Sequence, residues 1–337
     1  MISRTLLVYI AMRTVIFFIT LLTAFTFVFF LLKAMPTNAV ENIIASMTAQ
    51  GQVYDPKALI ALRKSLYELF GLTGSVMEQY FKYLYRFFVM DYGPSIIAFP
   101  TPAKDIIMNR LPWTIGLLGF STVIAWVVGN IIGTLTAFFE GSRISKLLES
   151  VAVVIYPIPY YIMALILVYL FAFLIPIFPL TGGAGIISGQ FTIEVIVDLI
   201  RRSMLPALSI IITGALGWWF LSSRTLTINV LSEDFSVYAE LRGLPRTHIL
   251  RKYVLKNILL PQVTALGLSL GMIFSGALLT EIIFAYPGLG ELMYRAVSTG
   301  DYATAIGVLS FSILGVATAT YILDIIYPLI DPRVRYR

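Results

Sequence analysis

Three places in the sequence have the residue types and spacing to do chemistry. The densest is YAELRGLPRTHILRKYVLKN, Tyr238 to Asn257, which carries Arg242, Arg246, Arg251, Lys252 and Lys256 together with His248, the only histidine. A basic, helix-forming segment can dock on an acidic protein surface. It can equally hold anionic lipid headgroups, at about 1 kcal/mol per cation. The other two places are single acids in apolar surroundings, Glu281 and Asp324. A charge at the bilayer centre costs at least about 2.5–3.5 kcal/mol, so such residues mark gates and ion relays. Near an interface the same acid serves as a cap or a backbone acceptor, and both readings are open for each of these two.

The missing chemistry narrows the field further. There is no GxxxxGK[ST] phosphate loop, no GxSxG and no HExxH. With no cysteine, the chain has no disulfide, no thiolate zinc site and no thiol nucleophile. One histidine excludes a His-rich metal site. No catalytic residue and no metal site are expected. A proton or sodium pump would need more mid-membrane acids than these.

The elements that position these residues must sit in lipid. Of 337 residues, 58% are hydrophobic and only 12% charged, where soluble domains carry about a quarter charged residues. The net charge of +6 then reads as membrane topology rather than nucleic-acid binding. Crossing about 30 Å of hydrocarbon takes about 20 apolar residues, and six runs qualify: Leu6–Leu32, Trp113–Phe139, Leu147–Leu174, Met204–Leu221, Ile258–Phe284 and Tyr302–Ile330. The first is too long for a signal-peptide core of about 7–15 residues and lacks a clear cleavage site in KAMPTNAV, so it is read as a retained span.

Lys and Arg of short loops collect on the cytoplasmic side. That places Arg4, Arg143, Lys146, Arg224, the basic segment, Arg333, Arg335 and Arg337 inside, with only Arg201, Arg202 and Arg295 in the short outer loops. Both termini are expected in the cytoplasm. Three regions follow: 1–35 with the first span, an extracytoplasmic loop 36–111, and a core 112–337 of five spans with a cytoplasmic loop 223–257 and tail 331–337. In the long loop, Leu59, Leu62, Leu66 and Leu69 form a helical stripe, and EQYFKYLYRFFVMDYG is dense in aromatics. Short helices on the outer membrane surface are expected there, or simply a cap on the bundle.

Gly129 with Gly133, and Gly267 with Gly271, form GxxxG pairs that bring helices close, within one subunit or between two. Pro157 and Pro159 interrupt the third span and predict a kink. Within loop 223–257, SEDFSVYAELRGLP reads as a short helix with Ser232 as N-cap and Gly243 at a left-handed C-terminal position, and Pro245 prevents continuation. A second helix restarts near Thr247, a candidate cap.

Helix, glycine, helix in a late cytoplasmic loop resembles the coupling loop of ABC importer permeases. Over essentially the whole chain the sequence resembles the B-type permease subunit of the dipeptide/oligopeptide/nickel import family. The matching stretches are RLPWTIGLLGFS, LPALSIIITGA from Leu205 to Ala215, EIIFAYPGLGELM from Glu281 to Met293, the pair Asp301-Tyr302, DPRVR from Asp331, and LYELFGL with QYFKYLYRFFVMDYGPS in the first loop. The general Glu-Ala-Ala motif is reduced here to Val237, Tyr238 and Ala239 ahead of Gly243, as is common in B-type subunits.

The resemblance implies an all-α integral membrane protein of six transmembrane helices in the type I importer fold, with interfacial helices in the first loop. It implies a plasma-membrane permease without an ATP site of its own, forming half of a translocation pathway. Implied partners are a second, C-type permease, two cytoplasmic P-loop ATPases that use ATP and Mg, an extracytoplasmic binding protein, and membrane lipid. Phe235, Tyr238, Ala239, Glu240, Arg242, Gly243, Leu244 and Pro245 would dock on an ATPase, with Phe235 and Tyr238 as aromatic anchors and Ala239 permitting close approach. Peptides are the preferred cargo, with oligosaccharides and then nickel chelates as alternatives. An ion-coupled secondary carrier is the reading from a different class.

Overall fold

A computed structural model describes residues 4–34, 39–49, 56–71, 73–182 and 192–330. Residues 331–337, with all of DPRVR and the tail cations, lie outside the described residues. Those described are helical apart from connections and one isolated bridge between Pro94 and Pro102.

Among the described residues five helices are long and apolar enough to cross a membrane, and a bent pair, taken as one span, makes a sixth. Helix α1, Arg4–Ala34, is the first, and three short helices follow it: α2, Ala39–Ala49; α3, Pro56–Leu69; and α4, Val76–Phe88. The second crossing is α5, Ala103–Phe138. It begins inside the expected first loop, so the boundary at 111/112 falls within a helix. The third is α6, Arg143–Ile155, followed after a bend of 100° by α7, Tyr160–Val168, and a π turn Tyr169–Leu174. The bend falls on Pro157 and Pro159, where prolines remove backbone donors.

The fourth crossing is far longer than the expected Met204–Leu221. Helix α8, Ile193–Thr213, runs through a π turn at Gly214–Trp219 into α9, Phe220–Ser232. Those 40 residues rise about 60 Å, roughly twice the hydrocarbon thickness, so the helix projects beyond it. Arg201 and Arg202 therefore stand on a helix and not in a loop. Arg202 pairs with Asp198 at 2.7 Å, and Arg201 donates to the Ile177 carbonyl at 2.9 Å. Helices α10, Asp234–Leu241, and α11, Arg246–Ile249, then lead through a π turn at Leu250–Val254 into α12, Leu255–Met272.

The fifth crossing ends at Met272 and not at Phe284. After a 3-10 turn, Gly276 adopts φ +74 and breaks the helix inside an apolar run. Helix α13, Leu278–Ile283, α14, Leu289–Thr299, and the last crossing α15, Tyr302–Ile330, complete the chain. Arg295, expected in a loop, lies on α14.

Helix α5 is the hub and packs against α8, α9, α12, α14 and α15. Glycine makes two of these contacts possible. A Cβ on Gly129 would fall 2.7 Å from the Ala215 carbonyl, and one on Gly133 would fall 2.4 Å from that of Phe220. Both partners lie on the fourth crossing, so this GxxxG pair packs within one subunit. Gly267 and Gly271 likewise face Leu323 and Ala319 of α15. Helix α1 is built into the fold. The Phe25 ring lies 3.8 Å from that of Phe87, and the Thr14 and Tyr321 hydroxyls are 2.7 Å apart.

Three of the four leucines in the α3 stripe are covered, while Leu69 stays exposed. Leu59, Leu62 and Leu66 pack against Val40, Ile43 and Ile44 of α2, an element the sequence pattern did not single out.

Candidate functional site

The expected coupling loop is a helical hairpin with a small core of its own. Helix α10 opens at Glu233 with no side-chain cap, because Ser232 is still the last residue of α9. It ends as the sequence predicts. Gly243 has φ +74, its N–H donates to the Glu240 carbonyl at 2.9 Å, and the Leu244 N–H donates to the Ala239 carbonyl at 3.2 Å. That pair of bonds is the Schellman ending, and the apolar contact that accompanies it is made by Leu244 and Ala239. Pro245 occupies the N-cap of α11, so Thr247 lies inside the helix and is not its cap.

This hairpin sorts the predicted docking residues into two sets. Ala239 is only 3% exposed and packs with Ile249, Val254 and Ile258. Its small side chain admits the chain's own return helix, which corrects the expectation that it admits a partner. Phe235 stacks on Tyr253 at 6.2 Å between ring centroids and so is partly used internally. Tyr238 at 69% and Leu241 at 79% exposure stand outward, with Val237 beside them. Glu240, Arg242, Arg246, Arg251, Lys252 and Lys256 are all exposed. The result is a small apolar face ringed by charge.

At the other end of the molecule the remaining motifs converge. Glu281 is fully buried. Its carboxylate accepts from Thr114 Oγ1 at 2.9 Å, from the Gly290 N–H at 2.6 Å and from the Glu291 N–H at 3.1 Å. The two amides open α14, where an anion is favoured by unpaired N–H groups and the helix dipole. Thr114 Oγ1 in turn accepts from the Leu289 N–H at 2.7 Å.

The glycines of PGLG make room for this arrangement. A Cβ on Gly288 would lie 2.3 Å from the Glu281 carboxyl, and one on Gly290 would lie 2.7 Å from Leu278 Cα. Burial pushes the Glu281 carboxyl above the usual carboxylate range, and its hydrogen bonds work against that push. Glu291 binds Arg110 at 3.5 Å and also pairs with Arg295. The stretches RLPWT and EIIFAYPGLGELM are thus two halves of one clamp.

A second clamp lies beside it. Asp301, fully buried, caps α15 by accepting from the Thr304 N–H at 3.0 Å. It also accepts from Ser95 Oγ, from the Ile96 N–H at 2.8 Å and from the Ile97 N–H at 3.2 Å. The Asp301-Tyr302 pair and the DYGPS element of the first loop therefore meet. Asp324 stands apart from both clamps and pairs with Arg13 of α1 at 3.1 Å, while Tyr9 donates to the Asp324 carbonyl at 3.0 Å.

Sequence reasoning did not single out Thr114, Arg13 or Ser95 as partners. Only the motifs containing Thr114 and Ser95 pointed near them. It also missed that Arg224 reaches both Glu140 at 3.3 Å and Glu149 at 3.0 Å, joining α9 to the turn after α5 and to α6. Among the described residues no group of three or more His, Asp or Glu is placed to hold a metal ion.

Comparison with known proteins assigns this architecture. Residues 129–336 match the family described as binding-protein-dependent transport system inner membrane component. The chain is 30% identical to the oligopeptide transport system permease protein AppB of Bacillus subtilis, over 97% of this chain and 99% of that one. It is 29% identical to the oligopeptide transport system permease protein OppB of Haemophilus influenzae, over 94% and 95%. It is 28% identical to the dipeptide transport system permease protein DppB of Alkalihalophilus pseudofirmus, over 97% and 99%. A multi-pass helical chain matched to that family over residues 129–336, with relatives spanning nearly its full length, belongs to the binding-protein-dependent transport system inner membrane components.

Proposed function

We propose that this chain is the permease subunit of an ATP-driven peptide importer. It would form half of the pathway for di- or oligopeptides delivered by an extracytoplasmic binding protein. The observation that carries the reading is the outward apolar face of α10, Val237, Tyr238 and Leu241, on a hairpin held rigid by its own core. A rigid lever with exposed aromatic and aliphatic anchors suits a groove on another protein. The chain has no phosphate loop of its own, so ATP and Mg would be used by two cytoplasmic ATPase subunits docked there. A second permease would complete the pathway.

Counting the bent pair as one crossing, residue 4, the α10–α11 hairpin and residue 330 fall on one side of the membrane. The exposed basic residues of the hairpin support reading that side as the cytoplasm, where Lys and Arg of short loops collect. The peptide cargo rests on the names of the relatives, which are oligopeptide and dipeptide permeases. The docked levers would be drawn together when the ATPases close, rocking the helices between outward- and inward-facing states.

The test is uptake into proteoliposomes holding the chain with its co-purified subunits and binding protein. Labelled oligopeptide should accumulate only with ATP and Mg on the ATPase side, unaffected by dissipating ion gradients. Uptake driven by an ion gradient without ATP would establish the carrier reading instead. Accumulation of oligosaccharide or nickel chelate in place of peptide would overturn the cargo assignment.

A further inference from the structure

Helix α4 presents three strips along its length. Tyr80, Tyr83, Leu84 and Phe87 face the protein: Phe87 packs on Phe25, Tyr80 and Tyr83 flank Phe29 at 5.3 and 5.6 Å, and the Tyr80 and Thr26 hydroxyls are 2.7 Å apart. Glu78, Lys82 and Arg86 recur every fourth residue and form a charged strip. Between these two runs a third strip, Met77, Phe81, Tyr85 and Phe88, and every one of its side chains is exposed. At about 100° per residue, this apolar strip occupies its own quarter of the helix. A capping box at Ser75 and Glu78 fixes where the helix starts.

We infer that this third strip is seated in the bilayer, at the boundary of acyl chains and headgroups, in the leaflet on the side away from the α10–α11 hairpin. Two observations select lipid as the occupant. The strip continues an existing lipid-facing surface, because Tyr80, the neighbour of Phe81, stacks at 6.4 Å on Phe30, and Phe30 belongs with Phe27 and Leu31 to the exposed apolar side of the crossing α1. The order of the strips is also that of a helix lying in an interface, with apolar residues toward hydrocarbon, tyrosine at the boundary and charge toward water. Helix α3 shows the contrast, since Leu59, Leu62 and Leu66 of its leucine stripe are already covered by α2. The inference depends neither on the cargo nor on which side is cytoplasmic.

The chain has no cysteine, so each variant has one labelling site in this chain, and the unsubstituted complex, labelled in parallel, supplies the background to subtract. The variants Phe81→Cys, Tyr85→Cys, Phe88→Cys and Lys82→Cys are purified with their accompanying subunits and placed in nanodiscs of phosphatidylethanolamine and phosphatidylglycerol. Collision with oxygen should exceed collision with a water-soluble nickel chelate at 81, 85 and 88, with the reverse at 82. Each of the three apolar positions reports independently, so a variant that misfolds leaves the others. Higher nickel-chelate collision at all three would place the strip in water. Low collision with both reagents would mean that another subunit covers it. Either result overturns the inference.

Discussion

Glu281 and Thr114 lie 167 positions apart in sequence and 2.9 Å apart in space. Between them they bind the backbone N–H groups of Leu289, Gly290 and Glu291. Of the readings open for this glutamate, a gate or a cap and backbone acceptor, its contacts are those of a backbone acceptor, and it acts as a tether. It fixes the PGLG turn and the start of α14 to the N-terminal part of α5. Replacing Glu281 with alanine leaves two amides and one hydroxyl without their acceptor in a dry site. At about 1–3 kcal/mol each, a loss on the order of 3 kcal/mol or more is expected. Thermal unfolding of the purified subunit should show a large fall in midpoint for Glu281→Ala and a smaller one for Glu281→Gln, which keeps an acceptor.

The same carboxyl gives stability a pH dependence of definite sign. Its folded value is raised above the unfolded value of 4.5. The folded state therefore binds the proton more tightly, and stability falls as pH rises from 4.5 through the raised folded value. Subtracting the midpoint-against-pH curve of Glu281→Gln from that of the parent isolates this group. The difference should decline with pH across that window, and a flat or rising difference would contradict the assignment.

Asp301 makes the second tether, and its loss should be local. In Asp301→Ala the amides of Ile96 and Ile97 lose their acceptor. Hydrogen exchange over residues 94–98 should accelerate strongly, while exchange in the α10–α11 hairpin stays unchanged. Equal acceleration in both regions would argue against two separate mechanical units.

Glycine packing distinguishes required from incidental positions. A methyl on Gly133 would meet the Phe220 carbonyl at 2.4 Å, whereas one on Gly116 meets nothing within 4 Å. Gly133→Ala should cost about 1–3 kcal/mol through overpacking. Gly116→Ala should be neutral or stabilising by up to about 1 kcal/mol, as for alanine replacing helical glycine. Unfolding midpoints of the two variants, measured side by side, check this.

What could be read from the sequence was local or periodic. Gly243 followed by Pro245 announces a helix ending, and the structure supplies the two bonds that make it. Six apolar runs announce the crossings, because hydrocarbon thickness imposes a length. Where a boundary depended on a single backbone angle the pattern gave no warning. FSGALLTEIIF is mostly apolar, and its one charge, Glu281, comes five residues after Gly276, so its hydropathy does not show that Gly276 turns the chain. The ends of the fourth crossing were hidden for the converse reason. Arg201 and Arg202 look like loop residues until Asp198 and the Ile177 carbonyl are seen to satisfy them. The clamps were illegible as such, since Thr114 and Ser95 become partners of Glu281 and Asp301 only when distant segments fold together. Ala239 was read as a contact for another protein because one sequence does not tell which face of a helix its own chain covers.

The central claim is that energy enters through the outward face of α10. The most direct measurement is co-purification of the ATPase and permease partners with Tyr238→Asp and Leu241→Asp, which alter only exposed side chains, beside Ala239→Asp, which buries a charge in the hairpin core. The account predicts that the first two variants keep the parent's unfolding midpoint and the second permease but lose the ATPases and ATP-driven uptake. Ala239→Asp should lower the midpoint as well. Retention of the ATPases and full uptake by both Tyr238→Asp and Leu241→Asp would contradict it.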